Sequence, residues 1–303
     1  MPPPEPTHES PETLRAPVTP GRVDFDLPLG PLVVRVLGLP ATWDGFVAPQ
    51  YLPFAGPADP ARRADLVVTC REGEGVFVPL PPPGGATEIE VQRQGPGRYQ
   101  VRSHWQDGWL DVSSGTGEVT LTDRVFTRFR MSLENYLRVA GQLLSIERGC
   151  FLMHTSGILT DGRCLLFFGP SGSGKSTATA MSEPRRALSD DMVLIDVSRE
   201  APSAHAVPFY GLFPPAERTR GTFPLDGAFR LRQADEDRLE RLGLARSIAT
   251  VSASIPFVHE LGLSHEGLTA LVARLCEKVP VYDLHFTRSP RFWDLIDALR
   301  AGD

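Results

Sequence analysis

Cys164-Leu165-Leu166-Phe167-Phe168-Gly169-Pro170-Ser171-Gly172-Ser173-Gly174-Lys175-Ser176-Thr177 is the stretch whose reading decides the fold. An apolar run ends on a glycine-rich turn, and the turn runs into the helix-compatible Ala178-Thr179-Ala180-Met181. Residues 169–176 satisfy G-x-x-x-x-G-K-[ST], the phosphate-cradling P-loop. Glycines let successive backbone N–H groups turn inward without a Cβ clash, forming a nest for phosphate oxygens. A helix opening at the end of the loop adds its positive end. Lys175 places a compact cation on the β/γ-phosphates, and the Ser176 hydroxyl offers a ligand to Mg²⁺. The expected nucleotide-binding set is Gly169, Ser171, Gly172, Ser173, Gly174, Lys175, Ser176 and Thr177.

Composition makes that lysine stand out. The 303 residues hold 31 basic side chains, of which 29 are Arg and only two, Lys175 and Lys278, are Lys. The planar guanidinium is a poor substitute for a compact ammonium in a phosphate loop. Lys278 ends a predicted helix, where a cation suits the dipole. A net charge of −6 argues against a general nucleic-acid or anionic-membrane binder. No apolar run approaches the roughly 18–20 residues of a membrane span. Residues 1–20 carry seven prolines, with neither a basic nor an apolar signal region. They read as a disordered tail of a cytoplasmic protein. Cys70, Cys150, Cys164 and Cys276 form no C-x-x-C pair and read as small core residues.

Upstream of the loop the pattern changes twice. Residues 21–127 hold short β-like runs punctuated by Gly and Pro. Leu32–Leu37, Asp65–Thr69, Glu88–Val91, Tyr99–Arg102 and Gly117–Leu121 are the candidates, and they predict an antiparallel β region. Trp43, Trp105 and Trp109 fall here as packing residues. Over residues 131–147, Leu133, Tyr136, Leu137, Ala140, Leu143 and Leu144 recur at helical spacing, with Ser132 as N-cap. Asp161-Gly162 then predicts a two-residue hairpin ahead of the 164–168 strand. The segment after Thr177 is interrupted by Pro184, which predicts a loop helix of about two turns.

Downstream, Ala228–Leu231 reads as a short strand, Leu263–Val279 as helix and Val281–Phe286 as an alternating strand. A last helix starts with Ser289 as cap and Pro290 at its first position.

Two further features bear on chemistry. Ser189-Asp190-Asp191 puts two carboxylates at the head of an apolar strand, where both can reach one metal–phosphate centre. Such a centre needs carboxylates to hold Mg²⁺ and to take the proton of an attacking hydroxyl. His154 ends the strand before the hairpin, and the hairpin can return it beside the loop.

Taken together, His154-Thr155-Ser156-Gly157, the loop Gly169–Thr177 and Ser189-Asp190-Asp191-Met192-Val193 resemble the core of the HPr kinase/phosphorylase family. That core is in turn similar to phosphoenolpyruvate carboxykinases. Phe229-Arg230-Leu231, Val279-Pro280-Val281-Tyr282-Asp283-Leu284 and Arg291-Phe292-Trp293 resemble the divergent HPr-kinase-related proteins linked to peptide modification, lasso-peptide kinases among them. The resemblance covers roughly residues 130–300.

It implies an α/β fold with a mixed sheet around the P-loop, over residues 131–303. The tail 1–20 and a β-rich region 21–130 precede it. It implies an ATP- and Mg²⁺-dependent kinase acting on a hydroxyl, most simply a serine of a peptide or protein. It further implies Asp190 as metal contact and Asp191 as base, His154 by the phosphates and Lys175 on the transferring phosphoryl. The family's E-x-R-G segment has only an offset counterpart, Glu217-Arg218-Thr219-Arg220-Gly221. The resemblance therefore leaves HPr as acceptor, and phosphorolysis, open. Arg218 and Arg220 stay as candidates for a substrate clamp, against a plain solvated loop. The alternative from another class is a catalytically degenerate nucleotide-binding module that binds a partner through residues 21–127.

Overall fold

A computed structural model of the chain describes residues 22–40, 49–80, 82, 89–122, 126–212, 218–258, 261 and 265–302, the side chains of 126–130, 265 and 266 excepted. The tail 1–20, Trp43 and Glu217 lie outside the described residues. The molecule is mixed α/β and is built on two mixed sheets.

The first sheet comprises β1 (Arg22–Leu29), β2 (Leu32–Pro40), β3 (Gly56–Pro57), β4 (Leu66–Glu72), β5 (Glu90–Gly95), β6 (Arg98–Ser103), β7 (Gln106–Asp111) and β8 (Thr116–Leu121). Their order is β3-β1-β2-β4-β8-β7-β6-β5. The expectation of a purely antiparallel region fails at its centre, where β4 runs parallel to both β2 and β8. Side-chain alternation is the same in both kinds of ladder, so sequence patterning does not report strand direction. Direction is set by the connection, and the β5–β6–β7 meander spans the return from β4 to β8. Trp105 and Trp109 are half-buried, as packing residues should be, and the Arg98 guanidinium lies 4.5 Å over the Trp109 ring.

Helix α1 (Phe126–Ile146) follows. It begins earlier than the spacing predicts, so Ser132 is a buried residue inside the helix and not its cap. A cap preference is worth only about 1 kcal/mol and yields when the chain before it stays helical. Leu133, Tyr136, Leu137, Ala140, Leu143 and Leu144 are all buried, as expected. Tyr136 fits because Gly108 and Gly117 lack side chains. A Cβ at Gly117 would stand 2.4 Å from the Tyr136 hydroxyl, which instead donates to the Trp109 carbonyl at 2.8 Å.

The second sheet contains β9 (Cys150–Thr160), β10 (Arg163–Phe168), β11 (Arg186–Ser189), β12 (Met192–Asp196), β13 (Ser203–Ala206), β14 (Thr222–Gln233), β15 (Arg238–Arg241) and β16 (Val281–Phe286). The Asp161-Gly162 turn joins β9 to β10 with both residues at positive φ, 49° and 74°, as the hairpin reading requires. The short strand expected at Ala228–Leu231 is the middle of β14, which has 12 residues. Pro224 and Gly227 both lie inside the strand, where Pro224 pairs with Ser203 and Gly227 with Leu165. Strand β14 pairs with β13, β10 and β16, parallel to the last two. The carboxyl ends of β10, β14 and β16 therefore lie at one edge.

One face of this sheet is covered by α3 (Leu244–Ser252) and α4 (His265–Lys278). The opposite face is covered by α2 (Lys175–Ala180) and α5 (Phe292–Gly302). The Ser289 hydroxyl accepts the Arg291 N–H at 3.3 Å, as a cap should, and regular helix begins at Phe292 after one tight turn. Cys70, Cys150 and Cys164 are buried, all four thiols are free, and burial pushes the Cys70 thiol up to about 12. No helix among the described residues is long and apolar enough to cross a membrane.

Helix α1 belongs to both halves. Its apolar residues share one core with the first sheet and with Cys150, Leu152, Met192 and Leu194 of the second. Each such fully buried leucine stabilises by about 1.5–3 kcal/mol.

Candidate functional site

Strand β10 delivers the chain to Gly169, and the turn is made by three glycines at positive φ: Gly169 (153°), Gly172 (76°) and Gly174 (103°). A side chain would be strained at each. Helix α2 starts at Lys175, whose ammonium is buried and folds back to donate to the carbonyls of Gly169 (2.8 Å) and Pro170 (3.3 Å). Burial lowers its pKa, and the charge of Asp191 opposes that fall. The Ser173 hydroxyl is buried in the loop without a hydrogen-bond partner. An orphaned donor, a lysine and three glycines at positive φ around one turn fit a bound phosphate. Ser171 is exposed at the rim, with Ser176 and Thr177 half-buried beyond it.

The acidic pair sits between β11 and β12. Ser189 Oγ accepts the N–H groups of Asp191 (3.2 Å) and Met192 (3.1 Å), and the Asp191 carbonyl accepts from Thr155 N–H at 2.9 Å. Thus pinned, the two carboxylates part. Asp191 meets His154 Nδ1 at 3.0 Å with one oxygen and the Arg138 guanidinium with the other. Burial alone would raise this carboxyl, but the His154 hydrogen bond and the Arg138 charge outweigh it and hold Asp191 well below the usual carboxylate range. Asp190 is buried and turns to the backbone N–H groups of Gly211 (3.1 Å) and Leu212 (2.5 Å). Hydroxyl and carboxylate oxygens are the hard donor set that suits Mg²⁺.

The register sets Phe168, which leads into the glycine turn, level with Thr155, and Met192 level with His154, so the turn bearing Lys175 neighbours the His154–Asp191 pair. Arg218 lies on the Asp190 side. It is buried, donates to the Phe209 carbonyl at 2.9 Å, and keeps Nε and Nη2 buried without partners among the described residues. Burial lowers its pKa, opposed chiefly by the charge of Asp190. Arg220 is exposed and turns to the Pro53 carbonyl, where it lines a separate cavity of about 330 Å³ with Phe54 and His205. The Arg218 guanidinium lies 5.8 Å over the ring of the same Phe54. Lys278 closes α4 on Glu200 at 2.9 Å, remote from the loop in its contacts.

Sequence reasoning missed Arg138, Glu134 and Gln50. Arg138 bonds Asp191 and, one helical turn back, Glu134, and Glu134 accepts Gln50 Nε2 at 2.6 Å. The available signal was an acid and a base at i and i+4 amid residues that are otherwise core-forming.

A solved structure, that of the Hpr(Ser) kinase/phosphatase from Coxiella burnetii, is similar over 50% of this chain and 95% of that one, at 8% identity and a TM-score of 0.28. So loose a likeness bears no argument. No curated protein matches the chain. One family model, described as SynChlorMet cassette protein ScmC, matches residues 131–300, which take in the loop, the acidic pair, His154 and Arg138. That match spans more than half of the sequence, and the chain belongs to this family.

Proposed function

We propose that the chain is a kinase that transfers a phosphoryl group from ATP to a hydroxyl, with a serine of a peptide or protein as acceptor and the cytoplasm as its site of action. The observation that supports the reading is a buried Lys175 on a glycine turn that strand register sets beside an Asp191 carboxylate ion-paired to His154 and Arg138. The loop N–H groups and Lys175 hold the phosphates, and Lys175 offsets the charge that gathers on the phosphoryl as it transfers. Asp191 takes the acceptor's proton as the new O–P bond forms and the bond to the departing diphosphate breaks with its electron pair. A carboxylate held this low is a weak base, which suits a loose transition state in which the proton leaves late. Ser176 and Asp190 would hold Mg²⁺, which supplies charge neutralisation on the phosphates when bound. Arg218, with two nitrogens lacking partners among the described residues, would hold an acidic or phosphoryl group of the acceptor.

The test is incubation of the full chain with labelled ATP, Mg²⁺ and peptides encoded beside its gene. Label should pass to a hydroxyl amino acid, and Asp191→Asn should abolish transfer while ATP binding persists. An Asp191→Asn chain as active as wild type refutes the assignment of the base.

One observation favours the second reading, a nucleotide-binding module without turnover. Both carboxylates of the acidic pair are already engaged by protein donors. ATP binding with no transfer to any acceptor, and partner binding lost in Lys175→Ala, would select it.

A further inference from the structure

At the carboxyl edge of the second sheet, on the face opposite α2, Arg230 and Asp283 are paired in register on β14 and β16. The Asp283 side chain is 1% exposed. Arg230 alone satisfies it, with Nε on one oxygen at 2.5 Å and Nη2 on the other at 2.6 Å. Two more guanidiniums nevertheless converge on that second oxygen, Arg232 through Nε at 3.0 Å and Arg246 through Nη2 at 2.9 Å. Their side chains are 42% and 50% exposed. A structural ion pair does not need them, and like charges gathered on one oxygen repel.

The neighbours do not balance the excess. Glu240 takes Arg246 Nη1 at 3.0 Å, and Arg238 lies 3.2 Å from the His285 ring. Among the side chains in contact within the cluster, four arginines meet two carboxylates, an excess of two positive charges in a chain whose net charge is −6. Asp235 and Glu236 lie exposed in the turn beyond β14, and Asp237 there is tied to the Thr287 N–H at 2.6 Å. Among the described residues, Arg232 Nη1 and Nη2 make no hydrogen bond. Ligand atoms of Glu240, Asp283 and His285 do gather within 4.8 Å of one another, the spacing of a metal site. Guanidinium donors already occupy both oxygens of Asp283, and their charge opposes any cation there.

Position adds to the argument. Parallel strands present ligands at their carboxyl ends. Phe168, the last residue of β10, is level with Arg230, and Gln233, next after Arg232, donates to the Gly172 carbonyl of the phosphate loop at 2.8 Å. We propose that Arg232 and Arg246, held up by Asp283, form a second anion site for one phosphate or carboxylate group, distinct from the glycine loop. It goes beyond the phosphotransfer reading and does not depend on it.

The test uses the full chain carrying Lys175→Ala, which weakens anion binding at the loop. Inorganic phosphate, glutarate and ATP are titrated separately while the arginine Nε–H signals are followed by NMR. Signals missing from the Arg232→Gln and Arg246→Gln chains should shift saturably in their parent, and each substitution should weaken binding about tenfold. Tighter binding of ATP assigns the site to the nucleotide's phosphates, and tighter glutarate to an acidic side chain. Should Arg232→Gln fail to fold, Arg246→Gln, whose side chain is half exposed, carries the test. No saturable shift, or equal weakening by Arg291→Gln at an exposed arginine outside the cluster, overturns the proposal.

Discussion

Replacing Arg138 by methionine removes a cation that is ion-paired to both Asp191 and Glu134. The side chains of Arg138, Asp191 and Glu134 are 20%, 15% and 5% exposed. Breaking a buried pair costs about 3–5 kcal/mol because a charge is left uncompensated. Here His154 still serves Asp191 and Gln50 still serves Glu134, so the lower end applies, about 3 kcal/mol. With a urea slope of roughly 3 kcal/mol per molar, the unfolding midpoint should fall by about 1 M.

The sign of the pH dependence is fixed by the same pair. The Asp191 carboxyl lies below its ordinary value of 3.8 in the folded chain. Its stabilisation is therefore present above that value and is lost as pH falls below it. The penalty in Arg138→Met should be full at neutral pH and should shrink as the variant's carboxylates take up protons in acid. Arg138→Lys, which keeps the charge and loses the fork, should recover part of it. A midpoint unchanged by Arg138→Met, or a penalty that stays constant into acid, would refute the reasoning.

Gly117→Ala drives a methyl to within 2.4 Å of the Tyr136 hydroxyl and 2.9 Å of the Trp109 carbonyl, and should cost about 1–3 kcal/mol in chemical denaturation. Gly162→Ala is the contrasting case, with no atom within 4 Å of the new methyl but a φ of 74°, so its cost should be backbone strain alone, about 1 kcal/mol. Lys175→Ala should weaken ATP binding by at least tenfold in calorimetry while leaving the fold intact, because the ammonium is held by loop carbonyls and not by the core.

The residues that announce themselves in sequence are those whose local backbone demands them. The glycine turn and the Asp161-Gly162 hairpin are legible because positive φ admits few residue types. The apolar face of α1 is legible because burial imposes a period. What stays hidden depends on partners far along the chain. Arg138 meets Asp191 across 53 residues, and nothing in either segment names the other. The parallel placement of β4 is decided by where its neighbours return, not by its own alternation. The pairing of Arg230 with Asp283 likewise follows from strand register, although both stretches drew notice separately.

Because α1 is core to both sheets, the two halves share one folding equilibrium. Loosening the first sheet unseats Tyr136, and Arg138 lies half a turn further along the same helix. The helix that seats Tyr136 against the first sheet is thus the one that carries the cation held by Asp191.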